Sequence, residues 1–396
     1  LERQAWLMAR SLARQAPWEA CLAVRHTVPI RPQNRDGVRI VSSWDRLWRI
    51  REAVSDCLEV RPRFPWLQLK RWNWRLLWQV PVLAACRPFK PADPGPLVPD
   101  RMLSGVGADV YCCLGVSAAS ANVVVTAHER GAKAVLFLVY DADLDPRFAS
   151  TEDFVSEYGE RAEFCRFVLR EADLIVAQTQ WQQQKVFERF GREAALFRNP
   201  LELSSWTAES ADRGPPLSDV FPRRFALWIG RADRHHKRPL VCLELARLCP
   251  EVTFLMVVNP REREVWDELH RTAPPNVRIV GHVRPEQMPA VMRRAAVLVS
   301  TAIQEGFPNV FLEAAAAGVP VASQHVGREF FEAAGCDGWG RGDLDRLAAY
   351  VRQLWADPER RNAEGMRGYA HVSSRYAMEH RGAELSTLLA RVTPHD

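Results

Sequence analysis

The sequence predicts an α/β protein built from two doubly wound domains, and three observations carry that reading. From Asp109 onward, short β-branched runs alternate with helical stretches, the pattern of βαβ units around a parallel sheet. A second series of the same kind begins with "FALWIG" at Phe225. Between them lies "NPLELSSWTAESADRGPPLSDVFPRR", rich in Pro, Ser and Asp and without periodicity, as suits a connection between domains.

The elements follow in order. In the opening stretch "LERQAWLMARSLARQ", Leu1, Ala5, Met8 and Leu12 fall at helical spacing. The segment 61–90, "RPRFPWLQLKRWNWRLLWQVPVLAACRPFK", holds seven basic residues, no acidic one, and Trp66, Trp72, Trp74 and Trp78. It reads either as a basic amphipathic helix with its aromatic face in the core, or as a surface for a membrane interface or for stacking on bases. The tract "RPFKPADPGPLVP" reads as a surface loop or flap. Next come "DVYCCL", a helix from Ala119 to Arg130, "AVLFLVY", a helix around 152–170, "DLIVAQT" and a further helix. The second series continues with "VTFLMVV", "VRIVGHV", "AVLVSTA" and "VPVAS". A hinge near Asn199 and Pro200 divides the chain into an N-terminal domain (1–199), a linker (200–224), a C-terminal domain (225–372) and a last helix (373–396) expected to cross back.

With 47% apolar and 26% charged residues, the 396-residue chain has material for two cores. Nine cysteines, an odd number without a CxxC pair, argue against a disulfide framework and for a reducing compartment. No apolar run approaches the roughly 18 residues of a membrane span. The net charge of +5 is uneven: residues 1–90 hold 17 Lys and Arg against 7 Asp and Glu, whereas 201–396 hold 25 of each. Such an excess attracts nucleic acid, an anionic membrane or phosphorylated small molecules.

Two motifs carry chemistry. In "STAIQEGFPNVFLEAAAAGVPVAS", Pro308 suits the first turn of a helix over 309–317 and Gly318 its stop. Glu305 and Gly306 then lie at the carboxyl end of a parallel strand beside a helix N-terminus, where open α/β sheets bind ligands and phosphate is favoured. Glu313 is the only polar side chain between Val310 and Ala317. A buried carboxylate needs donors, and either a ribose diol or internal groups would supply them. In "WIGRADRHHKRP", Gly230 ends a strand and is followed by Arg231, His235, His236, Lys237 and Arg238. These cations suit a diphosphate, or form a solvated basic loop. Adjacent histidines are poorly spaced for zinc, and no metal is predicted.

Together the two motifs resemble those of the family 4 retaining glycosyltransferases, whose GT-B fold sets two Rossmann-like domains across a central cleft. "ERQAWLMARSLA", "ADLIVAQT" and "FRNP" extend the resemblance more weakly over most of the chain. It implies transfer of a sugar from a nucleotide diphosphate sugar to a hydroxyl acceptor, with retention, in polysaccharide or glycolipid assembly. It further implies that Arg231 and Lys237, after Gly230, hold the donor diphosphate. By the same resemblance Glu305 is expected near the transferred sugar, Glu313 at the ribose, and Gly306 and Phe307 as donors of backbone N–H groups, with Pro308 and Asn309 in the same donor-binding turn. Glu305, Arg231 and Lys237 form the catalytic set, the cations stabilising the leaving diphosphate without a metal. The donor is a substrate, and no cofactor is implied. The implied partners are the nucleotide sugar, a carbohydrate or lipid-linked acceptor, and an anionic membrane met peripherally through 61–90 from the cytoplasm; nucleic acid is disfavoured.

The sequence also departs from the family. A histidine often follows the N-domain strand there, whereas "VLFLVYDADLDPRF" offers Tyr140, Asp141, Asp143 and Asp145, which leaves that position unassigned with Asp141 and Asp143 as candidates. His128 reads as structural. Family members open with a strand and a glycine-rich turn; nothing precedes Leu1, so that strand is expected to be missing. A sugar-nucleotide epimerase or hydrolase on the same fold, and a non-enzymatic nucleic-acid-binding protein, stand as alternatives.

Overall fold

The computed structural model describes residues 2–26, 32–44, 50, 53–54, 57–60, 67–69, 71–85, 97–156, 159–215, 217–218 and 220–393. The apolar spacing of the first residues produces helix α1 (Glu2–Leu12), which buries Leu7 and Met8. It leads into β1 (Cys21–His26), β2 (Gln33–Arg35) and β3 (Val38–Trp44), ordered β1-β3-β2. Asp36 and Gly37, both at positive φ, turn β2 antiparallel onto β3. A short ladder of β4 (Leu58–Val60) and β5 (Leu67–Leu69) precedes helix α2 (Leu76–Ala85).

Among the described residues of the tryptophan-rich segment, the helix spans Leu76–Ala85 alone. Trp72 and Trp74 precede α2 and are 63% and 65% exposed, so their rings do not form a core face. Trp66 and residues 86–96, which include most of the proline-rich tract, lie outside the described residues.

The βα alternation follows as β6 (Val110–Leu114), α3 (Ala118–Glu129), β7 (Lys133–Phe137), α4 (Ala162–Glu171), β8 (Leu174–Ala177), α5 (Gln180–Phe190) and β9 (Ala194–Leu196). These strands form one parallel sheet in chain order. Helix α4 starts later than the expected 152, because Gly159 at φ +82 and a bridge between Val155 and Arg161 hold the preceding residues in a turn.

The C-terminal domain begins in the middle of its sheet. It comprises β10 (Phe225–Arg231), α6 (Pro239–Leu248), β11 (Phe254–Asn259), α7 (Arg263–Thr272), β12 (Val277–Val280), α8 (Met288–Arg294), β13 (Ala295–Ser300), α9 (Asn309–Ala316) and β14 (Val321–Ser323). The strand order is β12-β11-β10-β13-β14, and every pair is parallel. Both faces are covered, which explains why these strands read as continuous apolar runs. Leu227, Leu255 and Phe311 belong to one core; Trp228, Phe254 and Val351 belong to the other. Helices α10 (Arg328–Ala334), α11 (Leu344–Ala356) and α12 (Pro358–Arg375) complete the domain.

The chain crosses between the domains twice, and the crossings are bonded side by side. Leu201 N donates to Tyr376 O at 2.7 Å, and Met378 N to Leu201 O at 3.0 Å. Helix α13 (Met378–Ala390) then returns to the N-terminal sheet, where Leu385, Leu388 and Leu389 pack with Met8, Val135, Phe137 and Val176. Leu389→Ala should therefore cost about 2–5 kcal/mol, the usual range for a buried leucine. Urea unfolding measures this, and a loss below about 1 kcal/mol would show that α13 is not part of that core.

Candidate active site

The carboxyl ends of the two sheets face a cavity of about 740 Å³. Leu114, Phe137 and Val176 bring the N-terminal strands to it, while Ile229 to Arg231, Asn259 and Gly281 bring the C-terminal ones. In the C-terminal sheet the strand order reverses between β10 and β13, which is where a doubly wound sheet opens a crevice.

The basic loop after β10 owes its shape to side chains inside it. Asp233 Oδ1 accepts from His236 N at 2.7 Å and Lys237 N at 2.8 Å, and Oδ2 lies 3.4 Å from Arg231 Nε. Buried Thr301, just past β13, accepts from Trp228 Nε1 at 3.0 Å. Its hydroxyl faces the carbonyls of Lys237 and Arg238 at 2.8 and 3.0 Å. Lys237 is thereby held against Glu305, and Nζ pairs with Oε1. A Cβ at Gly230 would meet the Trp228 ring at 2.6 Å, a packing reason for that glycine. Asp233, Thr301 and Trp228 escaped sequence reasoning. Only Asp233 left a signal there, as an Asp three and four residues before the amides it binds.

The Gly-Phe-Pro-Asn turn lies where the domains meet. A Cβ on Gly306 would collide with the Val139 carbonyl and lie 3.0 Å from Gln182 Nε2, both in the N-terminal domain. Phe307 packs against Tyr376 with ring centroids 5.6 Å apart, and Pro308 caps α9. Asn309 Oδ1 accepts from Asn199 Nδ2 at 2.8 Å, and the same amide reaches Gln178 Oε1 at 3.1 Å. Glu329 on α10 accepts from Gln180 N at 3.2 Å and Trp181 N at 3.0 Å, placing a carboxylate at the N-terminus of α5.

Of the residues expected at the donor, Gly230, Arg231, Lys237, Glu305, Phe307, Pro308 and Asn309 line the cavity. Gly306 is at the domain contact. Glu313 sits one turn beyond Asn309 and Val310 on the same face of α9, and pairs with Arg3 of α1. Burial pushes the Glu313 carboxyl up to about 6, against the pull of Arg3.

The N-terminal wall separates its two aspartates. Asp143 accepts from the amides of Val116, Val139 and Tyr140 at 3.2, 2.7 and 3.0 Å, which fixes the turn after β7. Asp141 accepts from Gln182 Nε2 at 3.1 Å, and burial, reinforced by Asp143, Glu305 and Glu329, pushes it up to about 7. Tyr140 lines the cavity. His128 pairs with Asp173 at 3.0 Å; Asp173 also holds Lys133 at the start of β7, far from the cleft. Among the described residues no group of three His, Cys, Asp or Glu side chains is arranged to hold a metal ion.

Two facing α/β domains, each with a parallel sheet and with a cleft at the carboxyl ends of both sheets, are the GT-B fold, and the chain has it. Among the described residues only the C-terminal of the two sheets reverses its strand order, so the expected double winding holds there and not in the N-terminal sheet. Residues 223–357 match the family model described as Glycosyl transferases group 1. The GDP-mannose-dependent monoacylated alpha-(1-6)-phosphatidylinositol monomannoside mannosyltransferase of Corynebacterium glutamicum is 29% identical over 150 residues. That alignment covers 35% of this chain and 39% of the relative, so the chain spans about two fifths of the relative's length. Anabaena HepE in complex with UDP-glucose has a TM-score of 0.60 at 17% identity, over 73% of this chain and 82% of that one. Sucrose-phosphate synthase from Thermosynechococcus elongatus gives 0.64 at 17% identity, over 97% and 91%.

Asp141 yields a test of the cleft's electrostatics. In the folded chain it keeps its proton to about pH 7, while the unfolded chain releases it near 3.8, so it removes stability as the pH rises between those values. Asp141→Asn, which still accepts from Gln182, should gain up to about 4 kcal/mol at pH 8 and almost nothing at pH 4. Thermal unfolding at both pH values decides; equal effects would contradict a buried, proton-retaining carboxyl.

Proposed function

We propose that the chain is a retaining glycosyltransferase that moves a sugar from a nucleotide diphosphate sugar to a hydroxyl acceptor. The observation that carries this reading is the convergence of Arg231, Lys237 and Glu305 on one interdomain cavity at the switch point of the sheet. The bond to the leaving diphosphate breaks as the sugar becomes oxocarbenium-like, and negative charge gathers on phosphate. Preorganised cations stabilise that charge more in the transition state than in the ground state. Lys237 turns from Glu305 to the diphosphate, which leaves Glu305 free to accept a hydrogen bond from a hydroxyl of the transferred sugar. In this reading Arg231 and Lys237 supply the positive charge without a metal ion, and no residue serves as a covalent nucleophile.

Glu313, one turn along α9 from the lining residues Asn309 and Val310, takes the ribose. The UDP-glucose complex of HepE and the GDP-mannose dependence of the mannosyltransferase support a nucleotide sugar as donor. On the acceptor side, Met8, Leu114, Phe137, Val176 and Phe197 make an apolar wall, which suits an acceptor with an apolar portion and a role in glycolipid or polysaccharide assembly. Leu69, Trp72, Trp74, Leu77 and Trp78 are exposed beside Arg71 and Arg75, which supports peripheral contact with an anionic membrane from the cytoplasmic side. No described helix is long and apolar enough to cross one.

Arg231→Ala and Glu313→Ala should each weaken UDP or GDP binding by about tenfold or more, the value of a charge-assisted hydrogen bond. Calorimetry reads this directly, and unchanged affinity in both folded variants rejects the donor site. Trp72→Ala with Trp74→Ala should reduce co-sedimentation with phosphatidylserine vesicles at low salt. Equal sedimentation of variant and parent would remove these rings from any membrane contact.

A further inference from the structure

Arg3 and Glu313 are 310 positions apart in the chain, yet Arg3 Nη1 donates to Glu313 Oε1 at 2.5 Å. Arg3 belongs to α1, which packs on α13 in the N-terminal domain, and Glu313 to α9 in the other. The guanidinium also lies 5.2 Å from the ring centroid of Trp206, a buried linker residue. Two turns along α1, Arg10 Nη1 donates to Glu202 Oε1 at 2.5 Å, so the helix is tied to the linker as well. Gln4, next to Arg3, lines the cavity, and its buried Oε1 has no hydrogen-bond partner. The Glu313 side chain retains 17% of its surface, while Arg3 occupies one oxygen.

We infer that Arg3 is a positioning residue for donor binding: it holds Glu313 as a carboxylate with one oxygen engaged and the other presented to the ribose. Donor affinity is thereby linked to the docking of α1 on the C-terminal domain. This rests on the reading of Glu313 as the ribose ligand.

The surroundings of Glu313 leave that work to Arg3. A lone carboxylate on an apolar helix is driven toward its neutral form, a poorer acceptor for a diol. On α12, packed against α9, Glu364 and Arg367 pair with each other, and burial holds His371 neutral with a pKa of about 4. β14 carries no ionisable group, and Glu202, ahead of the linker turn Leu203–Trp206, is engaged by Arg10 and Ser205. Arg3 is the charge that favours the Glu313 carboxylate, whose pKa still stands at about 6.

Two measurements on the same variants test this. In thermal unfolding without ligand, Arg3→Met should lower the midpoint, and that effect should vanish in a Glu313→Gln background; the same drop in both backgrounds overturns the proposal. In calorimetry with UDP and GDP from pH 5.5 to 8.5, parent affinity should fall below about pH 6. Arg3→Met should move that fall upward by about one pH unit and weaken binding several-fold at pH 7, and Arg3→Lys should restore the parent profile. An Arg3→Met profile that superimposes on the parent, while Glu313→Gln weakens binding, overturns the positioning role. If Glu313→Gln leaves nucleotide affinity unchanged, the ribose assignment fails and the positioning role falls with it, while the unfolding cycle still reports whether the ion pair forms.

Discussion

At its narrowest point the cleft has room for a hydrogen and nothing larger: Gly306 faces the Val139 carbonyl across the two domains. Much of the site's arrangement follows from this approach. It lets Asn309 reach Asn199 and Gln178, brings the Glu329 carboxylate onto the first amides of α5, and sets Glu313 within reach of Arg3. The Gly-Phe-Pro-Asn turn is thus both a wall of the cavity and the surface on which the other domain rests.

The charges around this contact are arranged at a cost to stability. Asp141, Asp143 and Glu313 all have their protons held more tightly than exposed carboxyls do, because burial disfavours their charged forms. Asp143 recovers part of that loss from three backbone amides and serves the fold. Asp141 accepts from the side-chain amide of Gln182 and lies near Glu305 and Glu329. Perturbed groups of this kind gather at functional sites, where local stability is exchanged for chemistry.

What was legible in the sequence was whatever local pattern determines. The continuous apolar runs of the C-terminal sheet, the helix after Pro308 and the glycine that stops it follow from neighbours a few residues apart. The long-range partners were not legible. Nothing near Glu313 points to Arg3, and nothing near Gly306 announces Val139, because both contacts exist only once two separately wound sheets face each other. Thr301 reads as an ordinary end of strand, yet it binds the loop that carries Lys237. For the tryptophan-rich segment one reading is a basic amphipathic helix with its aromatic face in the core, but Asn73 Oδ1 accepts from Arg75 N just ahead of α2, and Trp72 and Trp74 precede that helix.

The paired crossings at Leu201 and at Tyr376 to Met378 bear on how such a cleft can move. One covalent connection would let the domains swivel and twist freely. Two connections bonded to each other behave as the spine of a book, confining motion to one axis along that edge. Asn199, two residues from the spine and bonded to Asn309 and Gln178, would travel less than groups farther out if the covers parted. Contacts farther from that edge would be the first to separate, with the two pages kept in register.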